Sequence, residues 1–309
     1  MKNIIVLFTP SDSLHIFDEF DGGFCAYQKS LGWAKKIGGK VFVFADLKTE
    51  SECKKLNSNC GISDLEIISK EKWTVFELLK TMHELCLKEK SDNIIYAQAD
   101  CPFLNVPLTQ EIIETHEKYL AEYTFADGYP YGFAPEMLAC GTAGIIASLS
   151  VKEGLPNLTG NNPVTKNCIF EAMKGDINAF EIETVIAPTD WRMYRFSFDC
   201  GKKENFIACK KLQEISSSLY KESGSGSEKL DAPESPDAEV LSEKASECAG
   251  ILRTVPAFYN IQIEGKENTL SIYSPYQKAL EKYPEVKENL TEMPFEKFRN
   301  LVKQIADFS

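Results

Sequence analysis

The sequence predicts an α/β fold built on a mainly parallel sheet. Short apolar runs bounded by turn-forming residues are typical of buried strands. Four such runs occur in the first third of the chain, at Ile4–Phe8, Val41–Ala45, Leu65–Ile68 and Ile94–Ala97. Helical stretches separate several of them, and this alternation is typical of layered α/β proteins.

The clearest helix is expected over Thr74–Lys88, just before the fourth run. Thr74 and Glu77 have the spacing of a capping box. Apolar residues recur on one face of this helix at Val75, Leu78, Leu79, Met82, Leu85 and Cys86. A helix of this kind can cross over between two parallel strands.

The pattern continues beyond residue 100. We expect a helix over Leu108–Glu122, strands over Tyr123–Ala126, Phe180–Ile186 and Met193–Phe198, and a helix over Lys203–Ile215. These elements complete a first domain, residues 1–215. Residues 216–247 are rich in Ser, Gly, Pro and Glu, which predicts a flexible linker. Residues 248–309 form a short tail with a strand at Phe258–Glu264 and a helix at Pro294–Phe308.

Composition excludes some classes of partner. The chain has 309 residues, 43% of them apolar, which is enough for a sizeable core. Its formal net charge of −12 argues against binding to nucleic-acid polymers or anionic membranes. The first apolar run is too short for a signal peptide and no later run would span a membrane, so we expect a cytoplasmic protein. The ten cysteines are expected to be reduced, and the three histidines lack a zinc spacing.

Two aspartates are candidate metal ligands. Asp100 follows the fourth strand and Asp199 follows the predicted strand at Met193–Phe198. The carboxyl ends of parallel strands are where open α/β sheets bind ligands. Two carboxylates there can hold Mg²⁺ and leave positions for water and phosphate oxygens. The alternative for Asp100 is a turn residue that accepts backbone N–H groups before Pro102.

Three short motifs resemble one enzyme family. They are Asp100-Cys-Pro102, the segment Tyr129-Pro-Tyr-Gly-Phe-Ala-Pro-Glu136, and Arg195-Phe-Ser-Phe-Asp199. In this order they resemble the GT-A-type nucleotidyltransferases, especially the cytidylyltransferases that make CMP-sugars and spore-coat precursors. The resemblance covers residues 1–213 and implies a three-layer domain.

The resemblance also implies site residues. Asp100 and Asp199 would be ligands of Mg²⁺ or Mn²⁺. Substrate-binding residues would be Gly22, Gly23, Tyr129, Glu136, Lys166 and Arg195, with Arg192 as a further phosphate partner. The ligand would be a small nucleotide or nucleotide-sugar.

The loop after the first strand departs from the family pattern. The family has a Gly-rich loop with Arg and Lys there, whereas residues 9–24 carry Asp12, Asp18, Glu19 and Asp21 and no basic residue before Lys29. Two unit charges about 6 Å apart interact by about 3 kcal/mol at an effective dielectric near 20. Repulsion in place of attraction would weaken triphosphate binding. A second departure is Asn161–Pro163, where the family commonly has Arg-Glu-His.

The tail resembles the first strand, loop and helix of a radical SAM barrel. Glu267, Ser271 and Ser274 stand where that family has three cluster-binding cysteines. We therefore expect no iron–sulfur cluster in this chain. The whole arrangement resembles spiro-SPASM proteins, in which a nucleotidyltransferase-like region precedes a radical SAM region. The alternative is an ordinary β-α tail that packs on the first domain.

Three functions follow from these observations. The favoured one is a degenerate module that binds a nucleotide or sugar-nucleotide and serves a downstream radical SAM domain. The alternatives are an active Mg-dependent cytidylyltransferase that makes an activated sugar or sugar acid, and a glycosyltransferase of the same fold. The last usually has Asp-x-Asp, and Gln98-Ala99-Asp100 supplies one carboxylate.

Overall fold

The structure is a computed structural model that describes residues 1–58, 60–152, 160–222, 237–252, 282 and 294–308. The chain divides into two compact units, Met1–Arg253 and Thr254–Ser309. In the second unit, the described part comprises Lys282, Pro294 and one helix, Phe295–Phe308. The predicted tail strand and the positions aligned with cluster cysteines lie outside the described residues.

The first unit contains a seven-stranded sheet. Its strands are β1 (Asn3–Phe8), β4 (Lys40–Asp46), β5 (Leu65–Lys70), β6 (Asn93–Gln98), β7 (Tyr123–Asp127), β8 (Glu136–Ala139) and β9 (Ile182–Ile186). Their spatial order is β5-β4-β1-β6-β8-β7-β9. All neighbours pair in parallel except β8, which is antiparallel to β6 and β7. The predicted mainly parallel α/β fold is confirmed. A separate hairpin joins β2 (Glu19–Asp21) to β3 (Phe24–Cys25).

Helices cover both faces of this sheet. They are α1 (Ala26–Ile37), α2 (Glu50–Asn57), α3 (Val75–Glu89), α4 (Val106–Tyr119), α5 (Cys140–Ser150), α6 (Cys168–Met173), α7 (Lys203–Glu222), α8 (Ala238–Glu247) and α9 (Ala249–Leu252). Two 3-10 segments, Lys174–Ala179 and Arg192–Tyr194, lie before and after β9. None of the helices that the structure describes is long and apolar enough to span a bilayer.

Strand alternation divides the core into two layers. Along β1, Ile5 and Leu7 face a cluster that contains residues of α1, α4 and α7, whereas Ile4 and Val6 face a cluster with residues of α3, α5 and α6. Alternate side chains of a strand point to opposite faces, so a central strand with helices on both sides must be apolar throughout. The result is a three-layer domain.

Helix α3 follows its predicted pattern. Thr74 caps it, because its hydroxyl accepts a hydrogen bond from the Glu77 N–H at 3.3 Å. All six residues of the predicted apolar face are buried. The helix is therefore fixed at its start by a local cap and along its length by the sheet.

The chain before Asp199 does not form the predicted strand. A 3-10 turn occupies Arg192–Tyr194, and Arg195 has a left-handed φ of 53°. A left-handed residue interrupts an extended chain. Within the predicted strand, Ser197 makes an isolated parallel bridge to Tyr131.

The predicted linker overlaps two helices. Helix α7 continues through Glu222, and α8 begins at the capping residue Asp237. Ala238, Leu241 and Ala245 of α8 are buried in the core, since spacings of three and four residues place them on one face. Residues 223–236 lie outside the described residues. The first compact unit accordingly extends to Arg253, beyond the predicted boundary at residue 215.

The ionisable groups of His116 and Glu136 are buried within the fold. His116 of α4 is 1% exposed, with Nδ1 2.8 Å from the Thr124 hydroxyl and Nε2 3.2 Å from Asn93 Oδ1. Glu136 lies opposite Tyr96 in the β6–β8 pair, and its Oε2 is buried with no hydrogen-bond partner among the residues that the structure describes. Burial lowers the pKa of His116 to about 4 and raises the pKa of Glu136 to about 7.

His116 predicts a loss of stability in acid. Its folded pKa lies below its unfolded value, so the unfolded chain binds more protons between pH 6.5 and about 4. We expect His116→Gln to lose less stability than the natural chain over this window, by up to about 3 kcal/mol. Urea unfolding of both proteins across the window measures this, and parallel pH profiles would contradict it.

Glu136 predicts the opposite sign. Its folded pKa lies above 4.5, so the folded chain binds more protons up to about pH 7 and the ionised carboxyl destabilises it at higher pH. We expect Glu136→Gln to be more stable than the natural chain at pH 8, by up to about 3 kcal/mol, and nearly equal at pH 4.5. Thermal unfolding at both pH values tests this, with the exposed Glu111→Gln as control. A variant that gains nothing at pH 8 would refute the assignment.

Candidate nucleotide and metal site

Asp100 lies at the carboxyl edge of the central strand β6. It follows Gln98 by two residues, in the loop that leads to α4, and is 3% exposed. Asn105 caps α4 by accepting a hydrogen bond from the Leu108 N–H at 3.1 Å. The loop is thus fixed at one end by the sheet and at the other by the helix cap.

Asp199 lies in the loop that leads to α7, and three donors hold its carboxylate. Oδ2 accepts hydrogen bonds from the Ser197 hydroxyl at 2.6 Å and from the Asn205 amide at 2.9 Å. Oδ1 accepts one from the Gly201 N–H at 3.0 Å. These bonds fix the position of the Asp199 carboxylate.

The two aspartates face one small space. The Cys200 N–H donates to the Asp100 carbonyl at 2.9 Å, which joins the two loops directly. A Cβ placed on Gly201 would lie 3.0 Å from Asp199 Oδ1 and 3.5 Å from Asp100 Oδ2. Both oxygens therefore adjoin the position that glycine leaves open. The structure brings these predicted ligands together, and their role in metal binding remains a prediction.

The electrostatics of this pair suit a divalent cation. Burial, reinforced by the negative charge of Asp199, raises the pKa of Asp100 to about 7. A cation would offset that repulsion, and two carboxylate oxygens are suitable ligands for Mg²⁺ or Mn²⁺. Among the described residues, no group of three or more His, Cys, Asp or Glu side chains could hold a metal. The other coordination positions would then fall to water and substrate oxygens.

Lys166 is the predicted substrate residue that lies next to this pair. Its exposed ammonium donates to Ser197 Oγ at 3.0 Å, and Ser197 in turn donates to Asp199. The same ammonium lies 4.4 Å from the centre of the Tyr131 ring. Tyr131 donates to Gln98 Oε1 at 3.0 Å. A cation is therefore placed within two hydrogen bonds of the carboxylate pair.

The loop after β1 packs on the Asp199 loop. Backbone N–H groups of Leu14 and His15 donate to the carbonyls of Gly201 and Cys200 at 3.2 and 3.1 Å. Two of the loop's four acids have cationic or histidine partners: Asp21 with the Lys29 ammonium at 2.8 Å, and Asp18 with His15 Nδ1 at 2.7 Å. The Lys29 ammonium offsets part of the repulsion expected from the sequence, because it lies close to Asp21.

Four other predicted substrate residues, Gly22, Gly23, Tyr129 and Glu136, have contacts outside the Asp199 loop or beside it. Gly22 and Gly23 form the β2–β3 turn with positive φ, and Gly22 borders a cavity beside Lys210 and Gln213 of α7. Tyr129 packs on Trp191 with ring centres 5.8 Å apart. Glu136 is buried beside Tyr96, as described above. Among the described residues, neither aspartate of the pair lines the α7 cavity.

The two arginines of the Asp199 loop differ in their contacts. Arg192 makes ion pairs with Asp127 at 2.8 Å and Asp190 at 2.9 Å, so it stabilises the turn that follows β9. Arg195 is exposed and has the left-handed φ described above. Of the two arginines, Arg195 is the better candidate to bind a phosphate, because the charge of Arg192 is already balanced by two acids.

Sequence reasoning missed the residues that hold Asp199. Ser197, Asn205 and Gly201 surround it at spacings of two, six and two residues. The signal available was the local Ser-Phe-Asp-Cys-Gly string, in which a serine and a glycine flank the acid. Such short-range side-chain bonding is common for Asp in turns and does not by itself indicate a site.

Known protein sequences match part of this chain. No known protein-family model matches the chain. Two uncharacterized proteins of Treponema pallidum (strain Nichols) are 33% identical over 141 residues and 27% identical over 136 residues. These matches cover 46% and 41% of this chain and 32% and 62% of the relatives, so the chain spans less than two thirds of either one.

Solved structures give the fold directly. A cytidylyltransferase from Leptospira borgpetersenii serovar Hardjo-bovis (strain JB197) matches with a TM-score of 0.58 at 11% identity, over 84% of this chain and 100% of that one. A 4-diphosphocytidyl-2C-methyl-D-erythritol synthase from Anaerococcus prevotii DSM 20548 matches with a TM-score of 0.51 at 11% identity, over 69% and 96%. At such identities the likeness concerns the fold alone. The chain has a cytidylyltransferase-like, and thus nucleotidyltransferase-like, α/β fold.

Proposed function

We propose that this chain binds a nucleotide or nucleotide-sugar at the carboxyl edge of its sheet, with Asp100 and Asp199 holding Mg²⁺ or Mn²⁺. The observation that supports this most is the convergence of two carboxylates from different loops on the space beside Gly201. Carboxylates so placed repel each other unless a cation or proton lies between them. The fold of the solved cytidylyltransferases is consistent with a nucleotide ligand.

Each residue of the site has a distinct role in this proposal. A bound divalent cation would neutralise phosphate charge and orient phosphate oxygens. Ser197 and Asn205 hold the Asp199 carboxylate in one orientation through their hydrogen bonds. Lys166 would pair with an anionic oxygen of the ligand, since its ammonium is exposed and already close to Ser197.

The loop after β1 favours binding over nucleotidyl transfer. Transfer needs the whole triphosphate to be cradled while its charge redistributes. Residues 9–24 contain no Lys or Arg, and the nearby Lys29 already pairs with Asp21. We therefore propose a degenerate binding module. The alternative is an active Mg-dependent cytidylyltransferase, and the two adjacent carboxylates are the observation in its favour.

The module would serve a radical SAM region in a longer protein. This part of the proposal is supported by the tail, where Ser274-Pro275-Tyr276 resembles the end of a cluster motif whose cysteines are replaced. The longer of the two Treponema relatives extends well beyond its matched segment, which makes up 32% of its length.

Removing either carboxylate should abolish metal-dependent binding. We expect the natural chain to bind at least one of CTP, CDP or a nucleotide-sugar in the presence of Mg²⁺ or Mn²⁺. Asp100→Asn and Asp199→Asn should each weaken that affinity at least tenfold, or by about 1.4 kcal/mol, because one ligand of the cation is lost. Isothermal titration calorimetry measures this, with the exposed Asp64→Asn as control. Equal affinity without a divalent cation would count against the site.

Pyrophosphate release separates the module from the enzyme. With CTP and sugar or sugar-acid acceptors, we expect little or no turnover, because the loop after β1 lacks the cations that a triphosphate needs. A coupled pyrophosphate assay measures this. Robust turnover that disappears in Asp100→Ala would replace the binding module with the cytidylyltransferase.

Ser197 should act through Asp199. Ser197→Ala removes one hydrogen bond to a charged group and the link to Lys166, which should weaken metal-dependent nucleotide binding by about 1.5 kcal/mol, roughly tenfold. Ser197→Thr retains the hydroxyl and should restore most of the affinity. Calorimetry with and without the divalent cation is the readout. If Ser197→Ala weakens binding equally in both conditions, the link through Asp199 is wrong.

A further inference from the structure

Strand β9 forms one edge of the sheet. It pairs with β7, and no other strand that the structure describes lies on its outer side. The opposite edge, β5, carries Glu66 and Lys70, which make ion pairs with Lys40 and Glu77. Charged side chains of this kind protect an edge strand against pairing with another chain. Within β9, Ile-Glu-Thr-Val-Ile, there is no Lys and no Pro.

The hydrogen bonds at the two ends of β9 show which of its backbone groups point away from the sheet. The Glu181 carbonyl accepts from Glu122 and the Ala187 N–H donates to Asp127, so odd-numbered residues direct their N–H and C=O groups toward β7. In a parallel pair, alternate residues bond to the same neighbour. Ile182, Thr184 and Ile186 therefore direct their backbone groups away from the sheet.

This arrangement is complementary to itself. If a second β9 runs antiparallel and Thr184 lies opposite its own copy, then Ile182 lies opposite Ile186 of the second copy. In each of these pairs, both residues direct their backbone N–H and C=O groups toward the other copy. Each pair can therefore form two N–H···O=C hydrogen bonds. The register also places Glu183 opposite Val185, so no two like charges are directly opposed.

The same register covers an exposed apolar side chain. Ile186 is 76% exposed, the largest exposed fraction in β9. In the antiparallel pair it would contact Ile182 of the second copy, and this contact would occur twice by symmetry. Residues 188–191 do not continue along the edge, because the Trp191 N–H returns to the Gly128 carbonyl at 2.9 Å. After β9, these residues therefore turn back toward the loop that follows β7 and do not run along the outer edge of β9.

We propose that a second copy of this chain binds along β9, through an antiparallel strand pair centred on Thr184. The two seven-stranded sheets would then be continuous across a two-fold axis. This inference is independent of the proposed nucleotide site, since it rests on the edge strand alone. Edge pairing of this kind draws its affinity from main-chain hydrogen bonds and its register from alternate side chains.

Two substitutions test the dimer without touching the core. Ile186→Lys places a charge on the exposed side chain, and Thr184→Pro removes an outward N–H that makes no bond within the sheet. The matched control is Ile145→Lys on α5, where the isoleucine is 50% exposed. Light scattering after size-exclusion chromatography gives the molar mass, and circular dichroism verifies that each variant is folded.

The natural chain and Ile145→Lys should have twice the 34.7 kDa mass of one copy at micromolar concentration. Ile186→Lys and Thr184→Pro should be folded and have the mass of a single copy. A natural chain with the mass of one copy would overturn the proposal. So would a dimer that persists in both folded variants, because pairing would then not involve β9.

Discussion

The hydrogen bond from the Cys200 N–H to the Asp100 carbonyl joins two loops that are distant in sequence. One loop leaves the central strand β6 and the other leads into α7, so this bond sets the distance between their acidic side chains. The backbone of the loop after β1 then attaches to the same segment through Leu14 and His15. The candidate site is therefore a property of three loop segments held together by main-chain bonds, and the sheet supplies a fixed edge for all of them.

Two neighbouring carboxylates repel each other when both are charged, so hydrogen-bond donors, a proton or a cation must offset that repulsion. Three donors fix the position of the Asp199 carboxylate, and burial beside that carboxylate raises the pKa of Asp100. The Asp199 carboxylate is therefore oriented by its hydrogen bonds before a ligand binds. The ionisation of Asp100 would depend on whether a cation binds between the two. Glycine at position 201 keeps the space open, since a side chain there would contact both carboxylates.

Much of the fold could be predicted because its signals are local. The apolar runs of β1, β4, β5 and β6 and the cap at Thr74 need no knowledge of distant residues. Asp100 could be singled out for the same reason, since it follows the recognisable strand β6, whereas Asp199 was singled out from a strand that does not form. Strand β8 was missed, because its four residues obtain their pairing from β6 and β7, which lie elsewhere in the sequence. The predicted strand before Asp199 failed because Arg195 is left-handed, a preference that its sequence does not express.

Helix α8 shows the limit of composition as a guide. Its surroundings are rich in Ser and Glu, yet Ala238, Leu241 and Ala245 are buried in the core, which the sequence alone does not reveal. The same holds for the charge of the loop after β1. A count of its acids suggests strong repulsion, whereas the fold places Lys29 and His15 beside two of them. Composition gives the total charge of a segment, whereas the structure shows which side chains contact each charged residue.

Asp100 and Asp199 are proposed to coordinate the same cation, and electron paramagnetic resonance of Mn²⁺ tests this most directly. Titration of the full chain with Mn²⁺ in the presence of a bound nucleotide should show one bound ion per chain. Asp100→Asn and Asp199→Asn should each lose that ion, while Asp64→Asn should retain it. Retention of the bound ion in either of the first two variants would show that the carboxylates do not share a cation and would contradict the account.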